Sequence, residues 1–290
     1  MFKIECLNAG EGDCLILHYG SPLAPDFVLV NGGAPSMGSG ILKSRVAALA
    51  DEYGLLFPVI FELGMVTHSD SRSLEGMVGL FESVSHNTDT SLAEFKQFWH
   101  NPSMQSAPQE DRLKAELEKH GIAGNKPHGG TVGRGWGDVY MGHMKVVVIG
   151  PDTDAADSGT ITALVSCQKK TILLTGDATG AELYEGLKAK DLLDGNGEAE
   201  FDVIKLPHGA TAQSLDADFL GKVRAGNYIV STDGAGAQAT AGLLNALQEA
   251  RGGAAFTVTL TNPIEGLDTD PNVTVVARKA NEDSVLIPMA

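Results

Sequence analysis

Four short polar segments carry the residues best suited to chemistry: Asn31-Gly32-Gly33, Thr67-His68-Ser69-Asp70-Ser71-Arg72-Ser73, Thr175-Gly176-Asp177 and Leu206-Pro207-His208-Gly209. Each follows an apolar run that reads as a strand. Polar loops at the C-terminal ends of strands are where α/β folds place chemistry. Taken singly, each segment also has an ordinary reading. A T-G-D turn arises by chance, and Asp177 could cap a helix beginning near Ala181. A lone loop histidine such as His68 or His208 is usually hydrogen-bonded by its neighbours. The turns Gly129-Gly130 and Gly133-Arg134-Gly135 lack the G-x-x-x-x-G-K-[ST] pattern that opens a helix, so they do not read as a phosphate loop.

Alternation and periodicity predict the elements that position these loops. Strands are expected over 2–7, 13–19, 27–30 and the apolar run 59–66, with helices over 41–53 and 73–82. Residues 83–143 break the rhythm and read as an insertion packed over the core of a single domain. In it, Phe95, Phe98 and Trp99 are spaced for one helix face, and an amphipathic segment covers 109–120. Strands resume at 144–149, 161–167, 171–175, 201–206, 227–231, 256–261 and 273–277, with helices over 181–187 and 239–251. Two β-rich halves around helices imply an α/β fold, two sheets face to face with helices outside.

With 290 residues and 43% hydrophobic content the chain can bury a full core. Lys and Arg number 21 against 37 Asp and Glu, a net charge of −16 that disfavours non-specific nucleic-acid binding and anionic membranes. Cys6, Cys14 and Cys167 are odd in number and set in apolar runs, as expected of buried free thiols in a reducing cytoplasm. No stretch approaches the roughly 20 apolar residues of a membrane span.

In their order along the chain, the four loops resemble the metallo-β-lactamase superfamily. The nearest branch is the one related to the competence-protein hydrolase domain, which opens with a G-x-G-D segment like Gly10-Glu11-Gly12-Asp13. The resemblance covers nearly the whole chain and implies an αββα sandwich. Tyr228-Ile229-Val230-Ser231-Thr232-Asp233-Gly234-Ala235 is similar to the strand and loop that close that branch's site. In the intact branch a central H-x-D-x-D-H loop, a T-G-D aspartate and a P-H-H-G histidine hold two metals about 4 Å apart, which generate a hydroxide. Carried over, the resemblance makes His68, Asp70, Asp177 and His208 the candidate metal ligands.

The remaining positions depart from that pattern. Arg72 stands at the second aspartate and Ser73 at the following histidine. Asn31 replaces the D-G-G aspartate, and one histidine of P-H-H-G is absent. A guanidinium cannot be deprotonated at workable pH, so Arg72 repels a cation and is expected to pair with Asp70 or Asp177 in its place. His128 and His143 are the histidines that the glycine-rich insertion could fold back as replacement ligands.

Three functions follow from this pattern. The first is a catalytically inactive or impaired binding or assembly subunit with no cofactor, acting with a protein partner or as a homo-oligomer. The second is a hydrolase of a phosphodiester, ester or amide using one zinc or manganese ion on His68, Asp70 and Asp177. The third is a sensor that binds an anion or small molecule in the old cleft through Arg72.

Overall fold

The computed structural model describes residues 1–10, 12–34, 38–83, 91–101, 108–152, 159–207, 215–235 and 237–289. Period-two patterning in the N-terminal third builds β1 (Phe2–Leu7), β2 (Leu15–Gly20) and β3 (Pro25–Val30). Their alternate residues enter two different cores: Ile4, Leu17 and Val28 face one, while Ile16, Phe27 and Leu29 face the other. These strands are therefore buried on both faces.

The chain continues through α1 (Gly38–Tyr53), β4 (Val59–Phe61), β5 (Leu63–Val66), α2 (Ser71–Phe81), β6 (Ala93–Phe95), β7 (Phe98–His100) and α3 (Pro108–Lys119). Next come β8 (Val139–Met141), β9 (Met144–Gly150), β10 (Thr162–Cys167), β11 (Lys170–Leu174), α4 (Gly180–Ala189) and β12 (Ala199–Lys205). The last part is α5 (Ala217–Lys222), β13 (Val223–Val230), α6 (Ala237–Ala250), β14 (Phe256–Leu260), β15 (Val273–Ala277) and β16 (Ser284–Pro288).

One sheet has six strands in the order β16-β1-β2-β3-β5-β7, and a second has eight, in the order β15-β14-β13-β12-β11-β10-β9-β8. A core with Leu17, Val28, Met65, Val148, Ile172 and Val203 lies between them. Helices α1, α2 and α3 cover the outer face of the first sheet through Val46, Met77 and Leu113. Helices α4, α5 and α6 cover the second through Leu183, Phe219 and Leu247. The layers are thus helix, sheet, sheet, helix, the expected α/β sandwich.

Within the second sheet, β11, β12, β13, β14 and β15 run parallel; α4, α5 and α6 carry the chain back between the first four, and residues 261–272 return it to β15 without a helix. In the first sheet β3 and β5 are likewise parallel. The exits of β5, β11, β12 and β13 carry Thr67, Thr175, Leu206 and Ser231.

Two expectations are corrected. The 59–66 run is two strands: β5 joins the large sheet, while β4 pairs with β6 in a separate two-stranded sheet. The break falls at Glu62, whose N–H donates to Phe27 O at 2.8 Å. Phe95, Phe98 and Trp99 lie on strands, not on a helix face. Phe98 packs with Phe81 and Phe95 in the outer core, and Trp99 turns inward against Trp136. Neighbours facing opposite sides define a strand. Gly64 is what admits β7 beside β5, since a Cβ there would lie 2.6 Å from the Phe98 ring.

Strand β16, strand β8 and helix α5 have no counterpart in the sequence-based expectation. Cys6, Cys14 and Cys167 are free and buried. No helix among the described residues is long and apolar enough to cross a membrane.

Candidate functional site

The turn after β3 places Asn31 with φ of 58°, a left-handed conformation that asparagine tolerates better than most residues. Its side chain then clamps the loop after β5. Thr67 N–H donates to Asn31 Oδ1 at 2.8 Å, and Asn31 Nδ2 donates to Thr67 Oγ1 at 2.9 Å. Thr67 Oγ1 in turn lies 3.1 Å from His68 Nδ1, which orients the imidazole. The same loop is tied to the second sheet where Ile161 N–H donates to Thr67 O at 2.6 Å.

His68 presents Nε2 to three groups at once. Asp177 Oδ2 lies at 3.1 Å, Ser73 Oγ at 3.2 Å and Asp70 Oδ1 at 3.3 Å. Burial disfavours the imidazolium, but the bond to Asp70 and the charges of Asp177, Asp70 and Asp13 outweigh it, so the His68 pKa is raised. A doubly protonated ring also fits the hydrogen-bond sense, with Nε2–H directed at carboxylates and Nδ1–H at the threonine hydroxyl.

Asp70 is the N-cap of α2, its Oδ1 accepting from Ser73 N–H at 2.9 Å. Arg72 Nε donates to its other oxygen, Oδ2, at 2.7 Å. Burial would raise the Asp70 pKa; the bonds and charges of His68 and Arg72 hold it well below the usual carboxylate range. Helix α2 reaches this position through bare backbone. A Cβ on Gly76 would lie 1.7 Å from Gly32 O, and one on Gly12 2.2 Å from Arg72 O. The glycines of the Gly10–Asp13 and Asn31-Gly32-Gly33 segments thus let three loops touch.

Asp177 is not a helix cap. That role belongs to Thr179, which forms a capping box with Glu182 at the start of α4. Thr179→Ala is therefore expected to cost about 1 kcal/mol in urea unfolding, and Asp177→Asn to leave the α4 cap intact.

Lys205 belongs to the site but escaped sequence reasoning, and Asp13, the aspartate of the G-x-G-D segment, meets it there. Lys205 Nζ lies 2.8 Å from Asp13 Oδ2, and both side chains are almost wholly buried. Lys205 also donates to Leu206 O at 2.7 Å. The available signal was a lysine interrupting the apolar end of β12. The site therefore pairs Asp13 with Lys205 and Asp70 with Arg72, and sets Asp177 against the His68 imidazole.

Of the sequence candidates, His68, Asp70, Asp177, Arg72 and Ser73 come together, and Asn31 supports them through Thr67. His208 lies outside the described residues. His128 packs on Trp136, and His143 is exposed in the turn between β8 and β9. Among the described residues, no group of three or more His, Cys, Asp or Glu side chains is arranged to hold a metal ion.

No family model and no curated protein matches the chain by sequence. Solved structures do match it. YhfI from Bacillus subtilis, a metallo-β-lactamase fold protein, superposes with a TM-score of 0.53 at 10% identity, over 90% of this chain and 97% of its own. Zinc-bound PqqB from Methylobacterium extorquens superposes with a TM-score of 0.53 at 8% identity, over 99% of both chains. With its two face-to-face sheets, outer helices and loops gathered at the strand ends, this chain has the metallo-β-lactamase fold.

Proposed function

We propose that this chain is a metallo-β-lactamase-fold protein whose two-metal hydrolase site has become a self-neutralised polar cluster, and that it works as a catalytically inactive or impaired binding or assembly subunit. The observation that carries the reading is the occupation of Asp70. Its carboxylate caps α2 through one oxygen and receives the Arg72 guanidinium on the other. A ligand so engaged would have to give up both bonds to reach a metal.

His68 supports the same reading. Its Nε2 lies within hydrogen-bond distance of Asp177 and Ser73, contacts it would have to exchange for a metal. Among the described residues, no set of side chains fits a two-metal centre. Lys205 and Arg72 offset two of the three carboxylates, and His68 contacts the third, so the cluster is compensated from within the chain.

Metal analysis of protein purified without chelator tests this directly. Well under one equivalent of zinc or manganese per chain is expected, together with no hydrolysis of phosphodiester, ester or amide substrates. Two tightly held equivalents would overturn the reading. A single ion held by His68 and Asp70, with activity that a chelator removes, would replace it with the one-metal hydrolase.

A further inference from the structure

Beside the His68 cluster, but sharing no lining residue with it, lies a cavity of about 400 Å³ between the ends of β9 and β10 and the first turns of α4. That volume falls within the range of about 300–1,000 Å³ typical of small-molecule sites. Thr160 and Thr162 line it, 9% and 3% exposed, and neither hydroxyl has a hydrogen-bond partner among the described residues. Both hydroxyl oxygens keep some accessible surface and open onto the cavity, where they can accept from a ligand donor.

The rim is acidic. Glu182 and Glu185 stand three residues apart on one face of α4 and both line the cavity. Glu182 Oε2 accepts from Thr179 N–H and Oγ1 at 2.8 and 2.9 Å, and its other oxygen accepts nothing from the described residues. Among the described residues Glu185 pairs only with Lys188, 3.9 Å away with both side chains more than half exposed. Arg134, the cation of the lining, is directed at Asp152 at 3.2 Å. The cavity therefore carries excess negative charge, and the protein's net −16 draws cations toward it.

The geometry points to a binding site for a small aliphatic amine, with one ammonium group on the Thr160 and Thr162 hydroxyls and a second on the Glu182 and Glu185 rim. Hydroxyl and carboxylate oxygens accept from ammonium donors, and the short apolar stretch from Pro151 to Ala178 suits a methylene chain. An anion would meet the rim carboxylates, and a neutral diol would leave them unpaired.

The test is titration calorimetry of the whole chain with putrescine, butanediol and succinate, repeated with Thr162→Val, Glu185→Gln and Ala181→Phe. Putrescine is expected to bind, with affinity reduced about tenfold by Thr162→Val and by Glu185→Gln. Ala181→Phe, at an exposed helix position beside the cavity, should abolish binding without lowering the melting temperature. Butanediol and succinate should give no heat. The proposal is overturned if putrescine gives no heat at millimolar concentration, if butanediol binds equally well, or if a folded Ala181→Phe protein binds like the parent. None of these results bears on metal content, so the two readings fail separately.

Discussion

The double variant Arg72→Asp/Ser73→His, which rebuilds the carboxylate and imidazole of an intact central loop, should unfold well below the parent temperature in chelator and recover when zinc is added. Arg72 is 43% exposed, so its pairing with Asp70 contributes at most about 1 kcal/mol. The larger effects come from what replaces the two residues. A carboxylate at 72 would bring a third negative charge to Asp70 and Asp177 and remove the guanidinium that offsets them. An imidazole at 73 must enter a site where the serine is 1% exposed, and overpacking of that kind costs about 1–3 kcal/mol. Together these predict a loss of about 3 kcal/mol. Zinc that binds only the folded variant returns about 2.7 kcal/mol at a hundredfold excess over its Kd. Thermal unfolding of both proteins in chelator and in zinc reads the effect. A variant as stable as its parent in chelator, with no response to zinc, would show that Arg72 does not stand in for a metal.

Glu5→Gln is expected to cost a comparable or larger amount, about 3–5 kcal/mol, because it strands buried charge. Glu5 is 1% exposed and accepts from His18 Nε2 at 2.8 Å, Arg45 Nε at 2.6 Å and Ser284 Oγ at 2.6 Å. Those contacts tie β1, β2, α1 and β16 to one carboxylate. The amide would lose the charge facing Arg45 and turn a donor toward one of these donors. Burial would raise the Glu5 pKa; the bonds from His18, Arg45 and Ser284 instead pull it down to about 2 from its ordinary 4.5.

A lowered carboxylate pKa gives stability that is complete above pH 4.5 and lost as pH falls toward 2. His18, whose pKa burial lowers, adds a loss as pH drops below its ordinary 6.5. His68 acts in the opposite sense: its stabilisation is complete below 6.5 and fades as pH rises through its raised value. The Glu5 part differs between the two proteins, and the His18 part with it, because the Glu5 bond and charge raise the His18 pKa against burial. Urea unfolding across pH should therefore show the stability difference shrinking between pH 4.5 and 2. A difference that stayed constant through that window would mean that the Glu5 charge contributes nothing.

Much of this was legible in the sequence. The strands β1, β3, β9 and β15 follow from alternation and apolar runs, because a sheet buried on both faces imposes its period wherever it forms. The character of Arg72 was equally legible, since the charge of a guanidinium is intrinsic and excludes it as a ligand in any fold. That His68, Asp70 and Asp177 stand at strand ends could be read from each loop by itself.

Tertiary structure alone decided how those groups are used. Asp70 divides its oxygens between the α2 cap and Arg72, and the close approach of Gly76 to Gly32 seats that helix start against the loop after β3. Asp177 is directed to His68 because Thr179 takes the α4 cap. Lys205 meets Asp13 across the sandwich, and no local pattern links residues so distant in sequence. The split between β4 and β5, and the strands at Phe95 and Trp99, follow from which neighbour each segment pairs with. Periodicity is a property of one segment, whereas pairing and charge compensation belong to the assembled sheets and exist only once they have closed.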